Sequence, residues 1–182
     1  VTAAHCVWVE PSDIELMAAK GVNVSLNPAS NMKLASGFAP VQAMIDAGVY
    51  CSIGTDGMAS NNTHNILQSA YLLACAQKGN ALDPAIITPK EILRMLTVNG
   101  ARSQRRHDCG VLAQGKRADL VVMDIDTPWM QPVHTMAENL IYSAQGSDVV
   151  LTMVDGTILY ENGEYPTIDI EKEIAETCAA RE

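Results

Sequence analysis

The sequence predicts an α/β protein whose first part is built on a parallel sheet. Over the first third of the chain, β-rich runs alternate with helical runs, and the connections between them are short. Strand–helix–strand order with short connections favours parallel pairing. Each β-rich run ends in a polar residue, which indicates a barrel-like sheet with a polar mouth. After Gly100 the character changes to a strand and a hairpin.

Each element of the first third has its own start and stop signals. A helix is expected to begin at Pro11-Ser12-Asp13 and to close at Gly21, and a second helix over residues 38–47 is closed by Gly48. The β-branched and small residues between these helices predict the strands, which we place at residues 1–6, 22–26 and 50–55.

The rest of the chain divides into helices followed by strands. Residues 66–77 and 92–98 have helical patterns, the second capped by Thr88-Pro89-Lys90-Glu91. Residues 118–124 predict a strand, and Asp155-Gly156 predicts a type I′ turn between two further strands. A final helix is expected over residues 168–180.

Composition restricts the class of protein. A hydrophobic content of 48% with 18% charged residues is typical of a globular protein. The net charge of -9 argues against binding to a nucleic-acid backbone. Five cysteines without a C-x-x-C pair are typical of reduced thiols in a cytoplasmic protein. No apolar run approaches about 18 residues, so we expect no membrane span.

Polar residues at the strand ends are the candidates for chemistry. His5, Asn27 and Asp56 each follow an expected strand, and the alternation of side chains points them the same way. An aspartate can bind a divalent ion and accept a proton from water, while an imidazole hydrogen-bonds the water or the substrate. His5 and Asp56 therefore suit metal-assisted hydrolysis. The alternative for Asp56 is a cap on the loop that follows it.

Three segments, in order and spacing, carry a resemblance to a family: VTAAHCVWVE, NPASNMKLASGFAPV and SIGTDGMASNN. They resemble the amidohydrolase superfamily, in the branch that holds S-adenosylhomocysteine and 5′-methylthioadenosine deaminases together with triazine hydrolases. The later segments GVLAQGKRADLVVMD and ENLIYSAQGSDVVLTMVDGTILYENGEY are similar to the small β-sandwich domain of that family.

The resemblance implies the fold and its division. Residues 1–109 are then the C-terminal part of a TIM-like (β/α)8 metal-dependent hydrolase barrel, strands six to eight with their helices. Residues 110–166 are part of the β-sandwich, and residues 167–182 form a C-terminal helix. Because the chain begins on VTAAHC in the middle of a strand, we expect a fragment of a longer enzyme.

The resemblance also implies roles for individual residues. His5 takes the place of the histidine that orients and protonates the substrate, and Asp56 that of the metal ligand and base. Asn27 and Ser60 are expected to line the substrate pocket. The segment from Ser30 to Lys33 matches a motif of the loop after strand seven, where a plain loop is the alternative. The family implies one divalent metal, zinc, with iron also suited to a His/Asp site.

Two hypotheses about function follow. The family's His-x-His pair and its strand-five histidine and glutamate do not occur in the sequence. A stable zinc site takes three or four protein ligands, so we expect the chain alone to be inactive, with metal unbound or weakly bound. In the first hypothesis it belongs to an aminohydrolase that releases ammonia from an adenosine-like compound, with a chlorohydrolase or triazine hydrolase as the alternative. In the second it is a non-catalytic module that associates with itself into a homo-oligomer.

Overall fold

The computed structural model describes residues 1–180, and its first sheet is parallel. Strand β1 (Thr2–Ala4) pairs with β2 (Asn23–Leu26), and β2 pairs with β3 (Tyr50–Ile53), so that β2 is central. The register aligns Ala4 with Ser25 and Ser25 with Ser52. All three strands therefore end at one edge of the sheet, as the sequence predicted.

Helices follow the strands and cover the sheet. Helix α1 (Pro11–Ala19) links β1 to β2, and α3 (Val41–Asp46) precedes β3. Beyond β3 the helices are α4 (Met58–Asn61), α5 (Ile66–Ala81), α6 (Pro89–Leu96) and α7 (Val98–Ser103). Thr88 caps α6 in a capping box with Glu91, as the sequence predicted.

A single apolar core lies between the sheet and these helices. Its fully buried members come from β2, β3, α3, α5 and α6, and include Val24, Leu26, Met44, Cys51, Leu73, Ile92 and Met95. Burial of these side chains fixes the direction of β2 and β3, and with them the position of the residues that follow each strand.

The second sheet is antiparallel. Its strands are β4 (Leu120–Met123), β5 (Val149–Val154) and β6 (Thr157–Glu161), with β5 in the centre. Helix α8 (Met136–Tyr142) and the 3-10 turns Pro128–Met130 and Gly146–Asp148 lie between β4 and β5. Asp155 and Gly156 both have positive φ, as the predicted type I′ turn requires.

Ion pairs join the second sheet to the chain that follows α7. Arg117 contacts Asp108 at 2.8 Å and Asp155 at 3.0 Å, and Arg106 contacts Asp119 at 3.2 Å. Helix α9 (Ile170–Ala179) agrees with the predicted last helix, and all ten of its residues are exposed. The proposed domain boundaries at 109/110 and 166/167 stay predictions.

The loop alternative for the segment after β2 is wrong. Pro28–Lys33 is a helix, α2, with Pro28 in its first turn, where the fixed φ of proline suits a helix start. The first strand also stops earlier than expected, because His5 and Cys6 adopt φ of 65° and 48° and leave the extended conformation. Within residues 1–180, no helix has the length and apolar character needed to cross a membrane.

Candidate active site

The candidate site lies at the edge of the first sheet where the parallel strands end. His5 directly follows β1, and Asp56 lies three residues after β3. Both residues adopt left-handed backbone conformations, with φ of 65° and 62°. Such conformations are uncommon for residues other than glycine and cluster at functional sites.

His5 and Asp56 face each other. The distance from His5 Nε2 to Asp56 Oδ2 is 3.9 Å, which is longer than a direct hydrogen bond. Their side chains are 41% and 31% exposed, so a ligand can reach the space between them. The sequence prediction that these two residues share one site agrees with this geometry, while their catalytic and metal-binding roles stay predictions.

The Asp56 carboxylate is held in its charged form by hydrogen bonds. The Ser30 side chain, the Gly57 backbone N–H and the Ser60 side chain lower the pKa of this carboxyl, with a smaller contribution from His5. The Gly57 N–H donates to Oδ1 at 2.8 Å. Asp56 is therefore ionised, which is the form that binds a cation or acts as a base.

Helix α2 supplies the buried side of the site. Asn31 Oδ1 lies 2.8 Å from His5 Nδ1, and Asn31 is only 5% exposed. Ser30, whose side chain lowers the pKa of Asp56, is 1% exposed. Lys33 Nζ contacts the backbone oxygen of Ala59 at 3.2 Å and so ties α2 to α4. One short helix thus contacts both candidate catalytic side chains.

The predicted pocket residues lie beside this pair. Asn27 is buried, and its Nδ2 lies 3.5 Å from His5 Nδ1. Gly54 makes room for it, since a Cβ at Gly54 would lie 2.5 Å from Asn27 Oδ1. Ser60 Oγ donates to the Gly57 carbonyl at 3.0 Å, and the Ser60 side chain helps to lower the pKa of Asp56. Contact of Asn27 or Ser60 with a substrate stays a prediction.

Sequence reasoning missed three contributors to the site. Ser30 and Asn31 were noted only as part of a motif, although a proline that starts a helix directly after a strand end is a signal for side chains facing that end. His64, which has no ligand-like neighbours in the sequence, is the third. It is exposed, and its Nδ1 lies 3.2 Å from Thr55 Oγ1, next to Asp56.

A metal ion needs more ligands than these residues offer. A zinc site takes three or four protein ligands, and residues 1–180 contain no group of three His, Cys, Asp or Glu side chains placed to hold an ion. His5 and Asp56 are the nearest approach to such a group at the mouth. The described residues therefore do not form a complete metal site by themselves.

The amidohydrolase family matches residues 1–159 of the chain. The chain belongs to this family, as its three sequence motifs indicated. Its α/β fold also agrees with solved members. The structure of an adenosine deaminase from Xanthomonas campestris with bound zinc superposes with a TM-score of 0.96 at 34% identity, and covers 99% of this chain and 41% of that one.

Other relatives are deaminases and a chlorohydrolase. The 5'-deoxyadenosine deaminase of Methanosarcina mazei is 43% identical over all 182 residues, and the 5-methylthioadenosine/S-adenosylhomocysteine deaminase of Dictyoglomus thermophilum is 43% identical over 94% of this chain. The zinc complex of an atrazine chlorohydrolase from Arthrobacter aurescens matches with a TM-score of 0.91 at 32% identity, covering 98% of this chain and 40% of that one. The chain spans 42% and 40% of the length of the two deaminases.

Proposed function

We propose that this chain forms part of an aminohydrolase that removes the amino group of an adenosine-like compound and releases ammonia. The observation that carries the proposal is the His5–Asp56 pair at the edge of the parallel sheet where the strands end. Its Nε2 and Oδ2 atoms lie 3.9 Å apart and are open to a ligand. The deaminases that match the whole chain or most of it support an adenosine-like substrate. Asn27 and Ser60 would line its pocket.

The geometry gives each residue of the pair a part in the reaction. In hydrolytic deamination a water oxygen bonds to the ring carbon, the carbon–nitrogen bond breaks, and ammonia leaves. Asp56, kept ionised by its hydrogen bonds, accepts a proton from the attacking water. His5 hydrogen-bonds the water or the substrate from the other side of the gap, takes the second water proton on Nε2 and passes it to the departing amino group, which leaves as ammonia, while the proton held by Asp56 goes to the ring nitrogen of the product.

Asp56 is also proposed as one ligand of a divalent metal, with zinc favoured because zinc is bound in two of the similar solved structures. Iron also suits a site of His and Asp ligands. In a protein of the relatives' length, the other ligands would come from outside residues 1–182. Metal analysis of the purified chain, with and without added zinc, tests whether residues 1–182 retain an ion alone, and we expect weak binding or none.

A chimera tests the proposed activity. Residues 1–182 would replace the matching part of the Methanosarcina mazei enzyme, to which they align over their full length. We expect the chimera to release ammonia from 5'-deoxyadenosine, and Asp56→Asn to lower the rate by about 10²–10⁴-fold. Asp46→Asn is the matched control, because Asp46 is exposed on α3 and contacts Gln42 rather than the mouth.

Two results would contradict this proposal. A folded, zinc-loaded chimera in which Asp56→Asn keeps its turnover would remove Asp56 from the reaction. A chimera that hydrolyses a chlorotriazine but no adenosine-like compound would favour the chlorohydrolase class, which the match to the Arthrobacter aurescens structure makes the second candidate within the family.

A non-catalytic, self-associating module is the candidate from a different class. In the described part of the chain, β1 and β3 each pair only with β2, so each leaves one edge with free backbone groups. Free edges favour pairing with another chain. Light scattering of the purified chain measures this directly, and a monomer at all concentrations would exclude the homo-oligomer.

A further inference from the structure

Two buried asparagines contact Nδ1 of His5, and their contacts require opposite protonation of this nitrogen. The amide oxygen Oδ1 of Asn31 lies 2.8 Å from Nδ1, and an oxygen can only accept, so this contact needs a proton on Nδ1. The amide nitrogen Nδ2 of Asn27 lies 3.5 Å from the same Nδ1, and an amide nitrogen can only donate, so this contact needs a bare Nδ1. Both demands cannot be met at once.

The distances decide between them. A separation of 2.8 Å is that of a strong hydrogen bond, while 3.5 Å lies beyond the usual range for N–H donors. The other contact of Asn27 Nδ2, to the backbone oxygen of Ser25, is similarly long at 3.4 Å, so Asn27 makes no strong hydrogen bond that would compete with Asn31. The contact with Asn31 therefore sets the proton position.

We propose that Asn31 is a positioning residue that holds neutral His5 in the Nδ1–H tautomer and so turns an unprotonated Nε2 toward Asp56. This inference deepens the proposed function and rests on it. In this tautomer Nε2 and Asp56 Oδ2 are two acceptors 3.9 Å apart. Two acceptors repel unless a donor lies between them, so the gap selects a group with two protons to share, such as a water molecule or a substrate amine.

The position of Asn31 fits this role better than a purely structural one. It lies on α2, is 5% exposed, and so has little freedom to turn its amide away from the ring. The neighbouring Ser30, in the same turn of the helix, is buried and lies close enough to Asp56 to lower the pKa of its carboxyl. Consecutive residues of one helix therefore orient the two groups that face each other across the gap, which fixes their separation before any ligand arrives.

The test reads the tautomer directly. The 182-residue chain would be labelled with ¹⁵N-histidine and measured at one pH of about 8.5, where an imidazole is ordinarily neutral. Long-range ¹H–¹⁵N spectra separate the protonated from the bare ring nitrogen, and His5→Gln identifies the His5 signals among the four histidines. We expect the wild-type chain to show Nδ1–H at His5.

Three variants give the inference its controls. Asn31→Leu removes the acceptor at similar volume and leaves Asn27 as the nearest partner, so we expect the proton to move to Nε2. Asn31→Asp keeps an acceptor oxygen and should retain Nδ1–H. Asn99→Leu is the matched control. It also removes one amide hydrogen bond, from Asn99 Nδ2 to the Cys51 carbonyl at 2.9 Å, but Asn99 does not contact His5. It should leave the His5 spectrum unchanged.

An Nε2–H signal in the wild-type chain overturns the inference, as does an unchanged Nδ1–H signal in Asn31→Leu. If Asn31→Leu does not fold, the wild-type and Asn31→Asp spectra still decide. In the chimera described above, Asn31→Leu should lower kcat about 10–100-fold with little change in KM. A correct tautomer without deamination contradicts the proposed function alone, and deamination with the wrong tautomer contradicts the role of Asn31 alone.

Discussion

Gly54→Ala tests how tightly the site is packed behind His5. A Cβ at this position would lie 2.5 Å from Asn27 Oδ1 and 2.8 Å from Ser25 Oγ. Both distances are below the 3.0 Å that real Cβ atoms keep, so at least one neighbour has to move by about half an ångström. Asn27 is only 5% exposed, so its side chain cannot simply swing into solvent.

The size of the effect follows from this crowding. Forcing an extra carbon into a well-packed position costs about 1–3 kcal/mol, so we expect Gly54→Ala to lower the free energy of unfolding by that amount. Gly57→Ala is the matched control three residues away. A Cβ there meets nothing within 4 Å, and φ at Gly57 is -75°, which suits alanine. Its change in stability should stay within about 0.5 kcal/mol of zero, or be slightly stabilising.

Urea unfolding of the three chains, followed by circular dichroism, measures both values. The His5 ring signals in the same samples report whether a displaced Asn27 disturbs the imidazole. If Gly54→Ala and Gly57→Ala have equal stability, the close approach between β2 and β3 at this edge is not as tight as the structure places it. The site would then not be preformed.

Three further predictions concern the rest of the chain. Gly110→Ala should lower the free energy of unfolding by about 2–4 kcal/mol, because φ is +87° and a Cβ would lie 2.9 Å from a side chain of α7 and 3.1 Å from its backbone. Gly48→Ala is the control: φ is +82° but the space around it is open, so the loss should be only about 1–2 kcal/mol. Equal losses of stability in urea unfolding would show that packing against α7 does not matter. The folded pKa of Asp56 is lowered, so the ionised carboxylate stabilises the fold above the ordinary aspartate pKa, and this stabilisation is lost as pH falls through the lowered pKa. Ser30→Ala should raise the pKa of Asp56, so its titration, followed by carboxyl ¹³C NMR, should move to higher pH. An unchanged titration would contradict the effect of Ser30 on Asp56. Removal of residues 167–182 should change the unfolding free energy by less than about 0.5 kcal/mol, because every residue of α9 is exposed, and a loss above about 1 kcal/mol would show that the helix packs on the domain.

The sequence was a good guide wherever local signals and burial agree. Alternating apolar residues and glycine stops located three parallel strands within a few residues, and the Asp155-Gly156 turn located the hairpin. The same alternation placed His5 and Asp56 at one edge, because the carboxyl ends of parallel strands meet there.

What the sequence could not provide depends on tertiary contacts. Nothing local predicts a left-handed backbone at His5, since that conformation is uncommon for histidine and is maintained by its surroundings. The partnership of Asn31 with His5 joins residues 26 positions apart on different elements. Asparagine after proline is typical of a loop as much as of a first helical turn, so the pattern alone could not decide for α2.

Helix α2 explains how the strained backbone at the site is tolerated. Left-handed conformations at His5 and Asp56 cost of order 1–3 kcal/mol each, and they persist only where the surroundings determine them. The His5 ring is held by the buried Asn31 of α2, and the Asp56 carboxylate by the Gly57 N–H, with the buried Ser30 of α2 also lowering its pKa. The same contacts that orient the pair therefore also oppose its backbone strain. A site of this kind is set before a ligand binds, which is the condition under which two acceptors can be kept facing each other.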